Sequence, residues 1–414
     1  MGWRNNHQVN VSNRQLSNVF SAKGKLENVG AYLCPNSVPA NFIISGGVHP
    51  DERYQPLYTF FDATIGRFPI IVLHNNDIHM EAMVTQAWQS IVSSSECSPL
   101  WIINQKNSEF EPFFGMNEMQ VVLALRQLAN KLNYSVTPRF ERVIKAHLSI
   151  LKELNIPISL SGLNYLCQFY DIGEFHENIM ALSCGEAISR RIWADLGIDS
   201  EDSNSQFDLF RAVISNLAHD ASHGGWNDDN CVSEFNCLQA IGQNATLLLS
   251  VNDMYSEMLL PYLAEELKAA QKPFILIIDD TKIADEHFQE YLRLTNSGCC
   301  CGIIAENAVD LISGEENNFL HLTERMNTFI ILKHSTGKTA TILSEIFGRY
   351  DYTKVEMSQG TNRGFFSFLP QDRHDDLRFS TENRYRVMPE EIIGLRAGQA
   401  IVFDTTTDQI IRYN

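Results

Sequence analysis

Short apolar segments recur along the chain with helical patterns between many of them, and this alternation constrains the fold more than any other feature. Continuous apolar strands separated by helices are typical of a parallel sheet that is covered on both faces. The segments that we interpret as strands are 42–45, 69–73, 100–103, 245–251, 274–278, 300–305, 328–332 and 400–403. The sequence therefore predicts an α/β fold with a mainly parallel sheet and helices on both faces.

The strand signals stop between about residues 111 and 240, where the apolar spacing is instead that of helices. Predicted helices in this part lie at 119–132, 139–154 and 174–196. We therefore divide the chain into an N-terminal segment 1–40, a first part of the sheet domain 41–110, an all-helical insertion 111–240 and a second part of the sheet domain 241–414.

Composition and charge restrict the partners and the compartment. The 414 residues are 44% hydrophobic and 20% charged, which is a globular composition. A net charge of −18 gives no electrostatic footprint for a nucleic-acid backbone, so any contact with DNA would have to be local or made indirectly through a partner. The chain has no apolar run of the ~18 residues that a membrane helix needs and no signal-peptide core. We expect a cytoplasmic protein that reaches the inner face of the membrane only through partners.

The nine cysteines are odd in number and include no CxxC pair, which favours reduced thiols over a disulfide framework. Three of them, Cys299, Cys300 and Cys301, are adjacent. Because side chains alternate faces along a strand, these three cannot all point at one metal ion. We interpret them as small buried residues and predict no metal site.

The segment FIISGGVHPDERYQPL has the layout of a strand that runs into a phosphate-binding loop. A P-loop reads GxxxxGK[ST], in which backbone N–H groups surround the phosphates, the Lys reaches the terminal phosphates and the hydroxyl holds magnesium. Counting from Gly47, the second glycine falls on Glu52, the lysine on Arg53 and the hydroxyl on Tyr54. The residue types of a working nucleotide site are therefore replaced.

Two acidic residues make this loop unfavourable for a triphosphate. Asp51 and Glu52 would lie where the phosphates bind, and at ~4 Å each repulsion costs about 1 kcal/mol in water and more in a cleft. The alternative interpretation is an ordinary turn at Gly46 and Gly47 followed by an acidic surface loop. Either way, we predict that the loop does not bind nucleotide.

A second candidate element is the buried strand that ends in Asp279 and Asp280. In P-loop ATPases the first carboxylate at such a strand end holds magnesium through water, and the second, usually Glu, polarises the attacking water. Asp280 is one methylene shorter than Glu, which weakens the second role.

The order of these segments resembles the type IV secretion coupling proteins and their HerA and FtsK relatives, which are hexameric translocation ATPases. After the acidic strand this family has an Arg, a Gly and a strand that ends in Gln, and the corresponding residues here are Thr295, Gly298 and Glu306. The C-terminal sequence RVMPEEIIGLRAGQAIVF is the most specific part of the resemblance. Its matching residues are Arg386, Pro389, Glu390, Glu391, Leu395 and Gly398.

The resemblance implies a RecA-like P-loop NTPase fold, and the departures from the family pattern coincide with its nucleotide chemistry. We therefore predict a pseudo-ATPase that needs no cofactor. It would act as a binding or scaffolding subunit of a DNA-transfer or DNA-translocation machine, beside protein partners such as an active paralogue or in a ring of its own copies. The degenerate site would comprise Asp279, Asp280 and Glu306 as relics of the catalytic set and Gly46, Gly47, Arg53 and Tyr54 as relics of the nucleotide loop.

Two other functions stay open. An active ATPase or DNA translocase would use ATP and magnesium, with Asp279 and either Arg53 or the turn 337–339, although a Leu occupies the first glycine position of that second loop. A metal-dependent hydrolase would centre on His219 and His223, which are one helical turn apart. The Asp that follows His219 is short for a catalytic base, and two glycines end the helix after His223.

Overall fold

The structure is a computed structural model of the chain. It describes residues 19–22, 26–47, 49–75, 78–92, 98–103, 113, 116–167, 174, 177, 180–181, 186, 201–223, 237–250, 263, 266, 272–280, 299–311, 319, 322–361 and 373–413. Two compact units are present, one formed by Met1–Phe60 with Ile304–Asn414 and the other by Phe61–Ile303.

The described strands are β1 (Val19–Ala22), β2 (Phe42–Ser45), β3 (Ile70–His74), β4 (Leu100–Ile103), β5 (Thr246–Ser250), β6 (Ile275–Asp279), β7 (Cys300–Ala305), β8 (Thr328–Ile331), β9 (Arg349–Thr361), β10 (Arg373–Tyr385), β11 (Ala400–Asp404) and β12 (Gln409–Tyr413). The described α-helices are α1 (Pro50–Thr64), α2 (Ile78–Val92), α3 (Glu118–Lys131), α4 (Pro138–Glu153), α5 (Leu160–Leu166), α6 (Glu201–His223), α7 (Cys237–Gly242), α8 (Ala308–Leu311), α9 (Gly337–Ile346) and α10 (Pro389–Ile393). Two 3-10 helices, Leu26–Leu33 and Pro35–Ser37, precede β2.

In the first unit the strands lie in the order β1, β12, β11, β8, β2. The pairs β2 with β8 and β1 with β12 are parallel, and β11 runs antiparallel to both β8 and β12. In the second unit the order is β6, β3, β5, β4, and all three pairings are parallel. The predicted α/β class with a mainly parallel sheet is confirmed.

The interior strands form because their sequences are apolar except at their first or last residue. Every residue of β2, β3, β5, β6, β7 and β8 is buried, as expected for strands covered on both faces. Each of the eight predicted strand segments coincides with a strand to within about a residue at either end. The cysteine triplet is buried in this sheet as predicted, and desolvation raises the pKa of Cys301 to about 12.

Four strands were not predicted, namely β1, β9, β10 and β12. The strands β9 and β10 pair antiparallel over 13 residues each and form a separate two-stranded sheet, which we call the ribbon. Both are rich in charged residues and have no apolar run, so the pattern that indicates a buried strand is missing from them.

Between β4 and β5 the described residues form the helices α3 to α7 and no strand. Helix α3 starts at a capping box, in which Asn117 and Gln120 each accept a backbone N–H of the other. The predicted helices at 119–132 and 139–154 are confirmed as α3 and α4, whereas most of 174–196 lies outside the described residues. The boundaries of the insertion stay predictions.

Packing in the helical part centres on His147 of α4. Its ring lies 4.3 Å from the ring of Phe210 and 5.7 Å from that of Phe207, both on α6. The side chain is fully buried, and this desolvation lowers the pKa of His147 to about 4. The histidine is therefore neutral at pH 7 and acts as a core residue.

Candidate functional site

The connection from β2 to α1 has only four residues, 46–49, because the helix begins at Pro50. Its first two residues, Gly46 and Gly47, have φ angles of 101° and 91°. Such angles favour glycine, as the sequence predicts for a turn at this point. In the P-loop pattern counted from Gly47, the loop would extend to the second glycine position, Glu52. Here the helix already begins at Pro50, so the loop is too short for that pattern.

Two backbone donors at the start of this connection are already committed to other parts of the chain. The N–H of Gly46 donates to the carbonyl oxygen of Ala305 at 3.0 Å, and the N–H of Gly47 donates to that of Lys333 at 2.9 Å. These two bonds continue the strand pairing beyond the end of β2. A phosphate-binding nest requires successive N–H groups that point at the anion, and these two point at carbonyl groups.

The glycine at position 46 has a packing role. A Cβ atom here would lie 2.8 Å from the carbonyl oxygens of both Leu332 and Lys333 and 2.9 Å from Nε2 of His334. His334 is 4% exposed, and desolvation lowers its pKa to about 4, against the opposing effect of a hydrogen bond with the Ser45 backbone. A neutral histidine and two carbonyls therefore occupy the space that a larger residue would need.

Arg53 and Tyr54, which fall on the lysine and hydroxyl positions of the P-loop pattern, lie in α1. They are 4% and 2% exposed, respectively. The Cγ of Arg53 and a carboxylate oxygen of Glu52 would each be 3.4 Å from a Cβ on Gly47. Asp51 and Glu52 lie in the first turn of the helix, where the positive end of the helix dipole favours negative side chains. These carboxylates take the place in which a P-loop helix would meet a phosphate.

In the second unit, Asp279 ends β6 and is fully buried. It is in register with His74 of β3, which is in turn in register with Ser250 of β5. All three side chains are buried, and Nε2 of His74 lies 3.6 Å from a carboxylate oxygen of Glu81. Asp279 therefore belongs to a row of polar residues at the carboxyl ends of three parallel strands.

Sequence reasoning found Asp279 but missed Ser250, which lies two strands away in the same row. The sequence signal that could have identified this row is that three apolar strands each end in a polar residue. Asp280 follows with a φ of 46° and is exposed. This left-handed conformation is one that Asp tolerates better than most residues, which is consistent with a turn residue.

Glu306 lies in the first unit, directly after β7, and its side chain is exposed. The next residue, Asn307, accepts the N–H of Val309 at 3.3 Å and donates to Asp310, so it starts α8. Thr295, at the position of the family's Arg, lies outside the described residues.

The turn 337–339 forms the start of α9 rather than a loop around a ligand. Thr336 is the N-cap residue, and its hydroxyl donates to that of Thr339 at 2.9 Å instead of capping a backbone N–H. A Cβ on Gly337 would meet no atom within 4 Å, so this end of the helix is open.

The alternative metal centre receives no support from the described residues, among which no group of three or more His, Cys, Asp or Glu could hold a metal ion. His219 and His223 lie in the last described residues of α6, and their side chains are outside the described set. Nor does any helix in the described part of the chain have the length and apolarity to cross a membrane.

Comparison with known proteins identifies the fold. No family model and no curated protein sequence matches the chain. Among solved structures, the trigonal form of the bacterial conjugative coupling protein TrwB in complex with sulphate matches with a TM-score of 0.55 and 12% identity, over 95% of this chain and 91% of that one. The unbound monoclinic form of TrwB matches with a TM-score of 0.54 and 12% identity, over 90% and 84%. This chain has the fold of a conjugative coupling protein.

The C-terminal residues that carried the resemblance to coupling proteins hold the first unit together. Glu391 of α10 forms a bidentate ion pair with Arg412 of β12. The Arg412 side chain is about three-quarters buried and that of Glu391 about two-thirds buried. Arg386 pairs with Asp408 and lies over the ring of Phe403, with 5.7 Å from its guanidinium carbon to the ring centroid. These contacts explain Arg386 and Glu391 by packing and pairing within the unit.

Proposed function

We propose that this chain is a catalytically inactive subunit with a coupling-protein fold, which serves as a binding or scaffolding component of a DNA-transfer or DNA-translocation machine. The observation that carries the proposal is the commitment of the Gly46 and Gly47 N–H groups to the carbonyls of Ala305 and Lys333. One TrwB structure similar to this chain was solved with ADP and Mg²⁺. In this chain the corresponding loop offers a nucleotide neither these two donors nor a lysine.

The cost of nucleotide binding can be estimated from the loop. Releasing the two N–H groups from their carbonyl partners costs roughly 1 kcal/mol each. Asp51 and Glu52 would each add about 1 kcal/mol of repulsion to a phosphate ~4 Å away in water. A total of about 4 kcal/mol corresponds to an affinity roughly a thousandfold weaker than that of an intact loop.

The remaining role is one of contact with other proteins. The helices α3 to α6 lie between β4 and β5 and contribute no strand, so they can vary without disturbing the sheet. With a net charge of −18, the preferred partner is a protein or a basic surface rather than bare duplex DNA. An active ATPase of the same machine is one such partner.

Calorimetric titration with ATP and magnesium tests the proposal. We expect no heat of binding at micromolar nucleotide. Micromolar affinity that is lost in Arg53→Ala would contradict the proposal and would show that the β2–α1 loop binds nucleotide. Affinity that is lost in Lys338→Ala, but not in Arg53→Ala, would instead place the nucleotide at the start of α9. Both variants are compared with the wild type by thermal unfolding, so that a folding defect is not mistaken for a lost site.

A further inference from the structure

The ribbon is an element that the proposed function does not use. At about 3.4 Å per residue, its 13 paired residues extend roughly 44 Å. Within the described part of the chain, neither β9 nor β10 pairs with any strand other than the other one. The outer edge of β10 therefore presents a row of backbone N–H and C=O groups that no described strand pairs with.

Near its base the ribbon has solvent on both faces. The four consecutive residues Ser380, Thr381, Glu382 and Asn383 are all exposed, although successive residues of a strand point to opposite faces. An isolated two-stranded hairpin is marginally stable in water, whereas three or more strands can be stable. The ribbon thus gains from any strand that adds to it.

The base itself is held in place by a network of side chains. Arg349 pairs with Glu345 of α9, lies 4.2 Å over the ring of Tyr385 and donates to the hydroxyl of that tyrosine at 2.6 Å. On the other face, Arg384 lies 4.2 Å over the ring of Tyr352. These contacts fix the direction in which the ribbon leaves α9.

The charge of the ribbon indicates what kind of partner it accepts. Residues 349–385 contain six Lys or Arg and six Asp or Glu, so the whole net charge of −18 lies elsewhere in the chain. A balanced segment has no preference for a nucleic-acid backbone. Two copies of the chain, which repel each other through the rest of their surfaces, can approach through this segment at little electrostatic cost.

The sequence of β10 would give favourable cross-strand pairs if two copies of the strand paired antiparallel around Ser380. When two copies of β10 pair antiparallel with Ser380 opposite Ser380, the register places Arg378 opposite Glu382 of the second copy and Phe379 opposite Thr381. It also places Asp376 opposite Arg384. Opposite charges and pairs of aromatic with β-branched residues are the favourable cross-strand pairs. Because the two-fold axis lies between the two copies of Ser380 and the same edge of each copy is used, the arrangement closes on itself as a dimer.

We propose that the ribbon is a dimerisation arm, in which β10 pairs edge to edge with β10 of a second copy to form a four-stranded antiparallel sheet. Within one copy, Arg384 pairs with Glu382 at 2.6 Å, and both side chains are about 40% exposed. Such an exposed pair contributes little, so its members can exchange partners on dimerisation at small cost. The proposal does not depend on whether the chain hydrolyses ATP.

Sedimentation of the full chain over a range of concentrations tests this arm. We expect a reversible dimer whose dissociation constant rises about tenfold in Arg378→Glu, because the substitution places like charges opposite each other twice in the symmetric interface. Glu382→Arg should have a similar effect and is the cleaner variant, because within the ribbon Glu382 is opposite the uncharged Tyr352, whereas Arg378 is opposite Glu356. The double variant Arg378→Glu with Glu382→Arg should restore dimerisation, since both charges are exchanged.

Arg126→Glu is the matched control, because it makes the same change in net charge on α3, at a side chain that is 47% exposed. It should leave the dissociation constant within about twofold of the wild type. Monomeric wild-type chain at all concentrations would overturn the proposal. So would a double variant as weak as the single ones, or a control that weakens the dimer as much as Arg378→Glu.

Discussion

Replacing Gly46 by Ala is the sharpest test of the idea that this glycine serves packing and not phosphate binding. The new Cβ would lie 2.8 Å from two carbonyl oxygens and 2.9 Å from His334 Nε2, distances at which atoms must move. The φ of 101° adds a second penalty for a residue with a side chain. We estimate about 1–2 kcal/mol for the backbone conformation and about 1–3 kcal/mol for the overpacking. Gly46→Ala should therefore destabilise the first unit by about 2–5 kcal/mol.

Two glycines of the same unit separate the two contributions. Gly398 has a φ of 81° but no atom within 4 Å of its missing Cβ, so Gly398→Ala should cost about 1–2 kcal/mol. Gly337 begins α9 with no neighbour within 4 Å, and Gly337→Ala should be neutral or stabilising by up to about 1 kcal/mol.

Hydrogen exchange read by mass spectrometry is the suitable assay, because peptides from β2 and β8 report on the first unit alone. Each 1.4 kcal/mol of lost stability raises the exchange rate of a globally protected amide about tenfold. A loss of about 2 kcal/mol or more in Gly46→Ala should therefore raise the exchange rate of the protected amides in β2 and β8 roughly thirtyfold or more. The packing argument would be refuted if Gly46→Ala exchanged no faster than Gly398→Ala. It would also fail if all three variants behaved like the wild type.

Four further outcomes are expected. Asp279→Asn should leave the cellular transfer phenotype nearly intact at unchanged protein level, whereas loss of function would indicate that the carboxylate still holds magnesium. Because burial lowers the pKa of His147 from about 6.5 to about 4, the unfolded state binds the proton first as the pH falls, and stability present above pH 6.5 is lost towards pH 4. Chemical unfolding should show that the wild type loses about 2.5 kcal/mol more stability than His147→Gln between pH 7 and pH 4.5, because the buried His334 titrates in the same way in both proteins. Glu391→Gln should cost about 1 kcal/mol in thermal unfolding, because its ion pair with Arg412 is largely buried, whereas the exposed Glu382→Gln should cost much less. In a fluorescence anisotropy titration, the purified chain should not bind duplex DNA at about 0.15 M salt, and tight binding there would contradict the argument from charge.

Most strands of the sheet that contains β2 to β8 could be predicted from the sequence because they are apolar except at their first or last residue. A segment such as FIIS or ILIID can form neither a half-exposed strand nor a surface helix without leaving large side chains in water. The helices α3 and α4 were found for a related reason, since an apolar stripe of helical period and a capping residue are both local signals. The fold class and most element positions follow from such local signals.

The ribbon could not be predicted, because its strands have no face that the main sheet buries. Its register is set by 13 backbone pairs between β9 and β10, and no residue type in either strand is required to form them. In the same way, the sequence showed that Arg53 and Tyr54 replace the usual P-loop residues but not that both are buried in α1. Burial depends on what packs against a segment, which sequence spacing does not contain.

The sequence by itself showed that the residue types of the P-loop pattern are replaced, since the lysine is absent and two carboxylates stand beside its position. Only the tertiary structure decided what the two glycines do instead. Their N–H groups meet carbonyls that come from β7 and from the end of β8, about 260 and 290 residues away along the chain. A contact between residues so distant in sequence exists only once the sheet has formed, and it is this contact that turns the outline of a phosphate loop into an extension of the sheet.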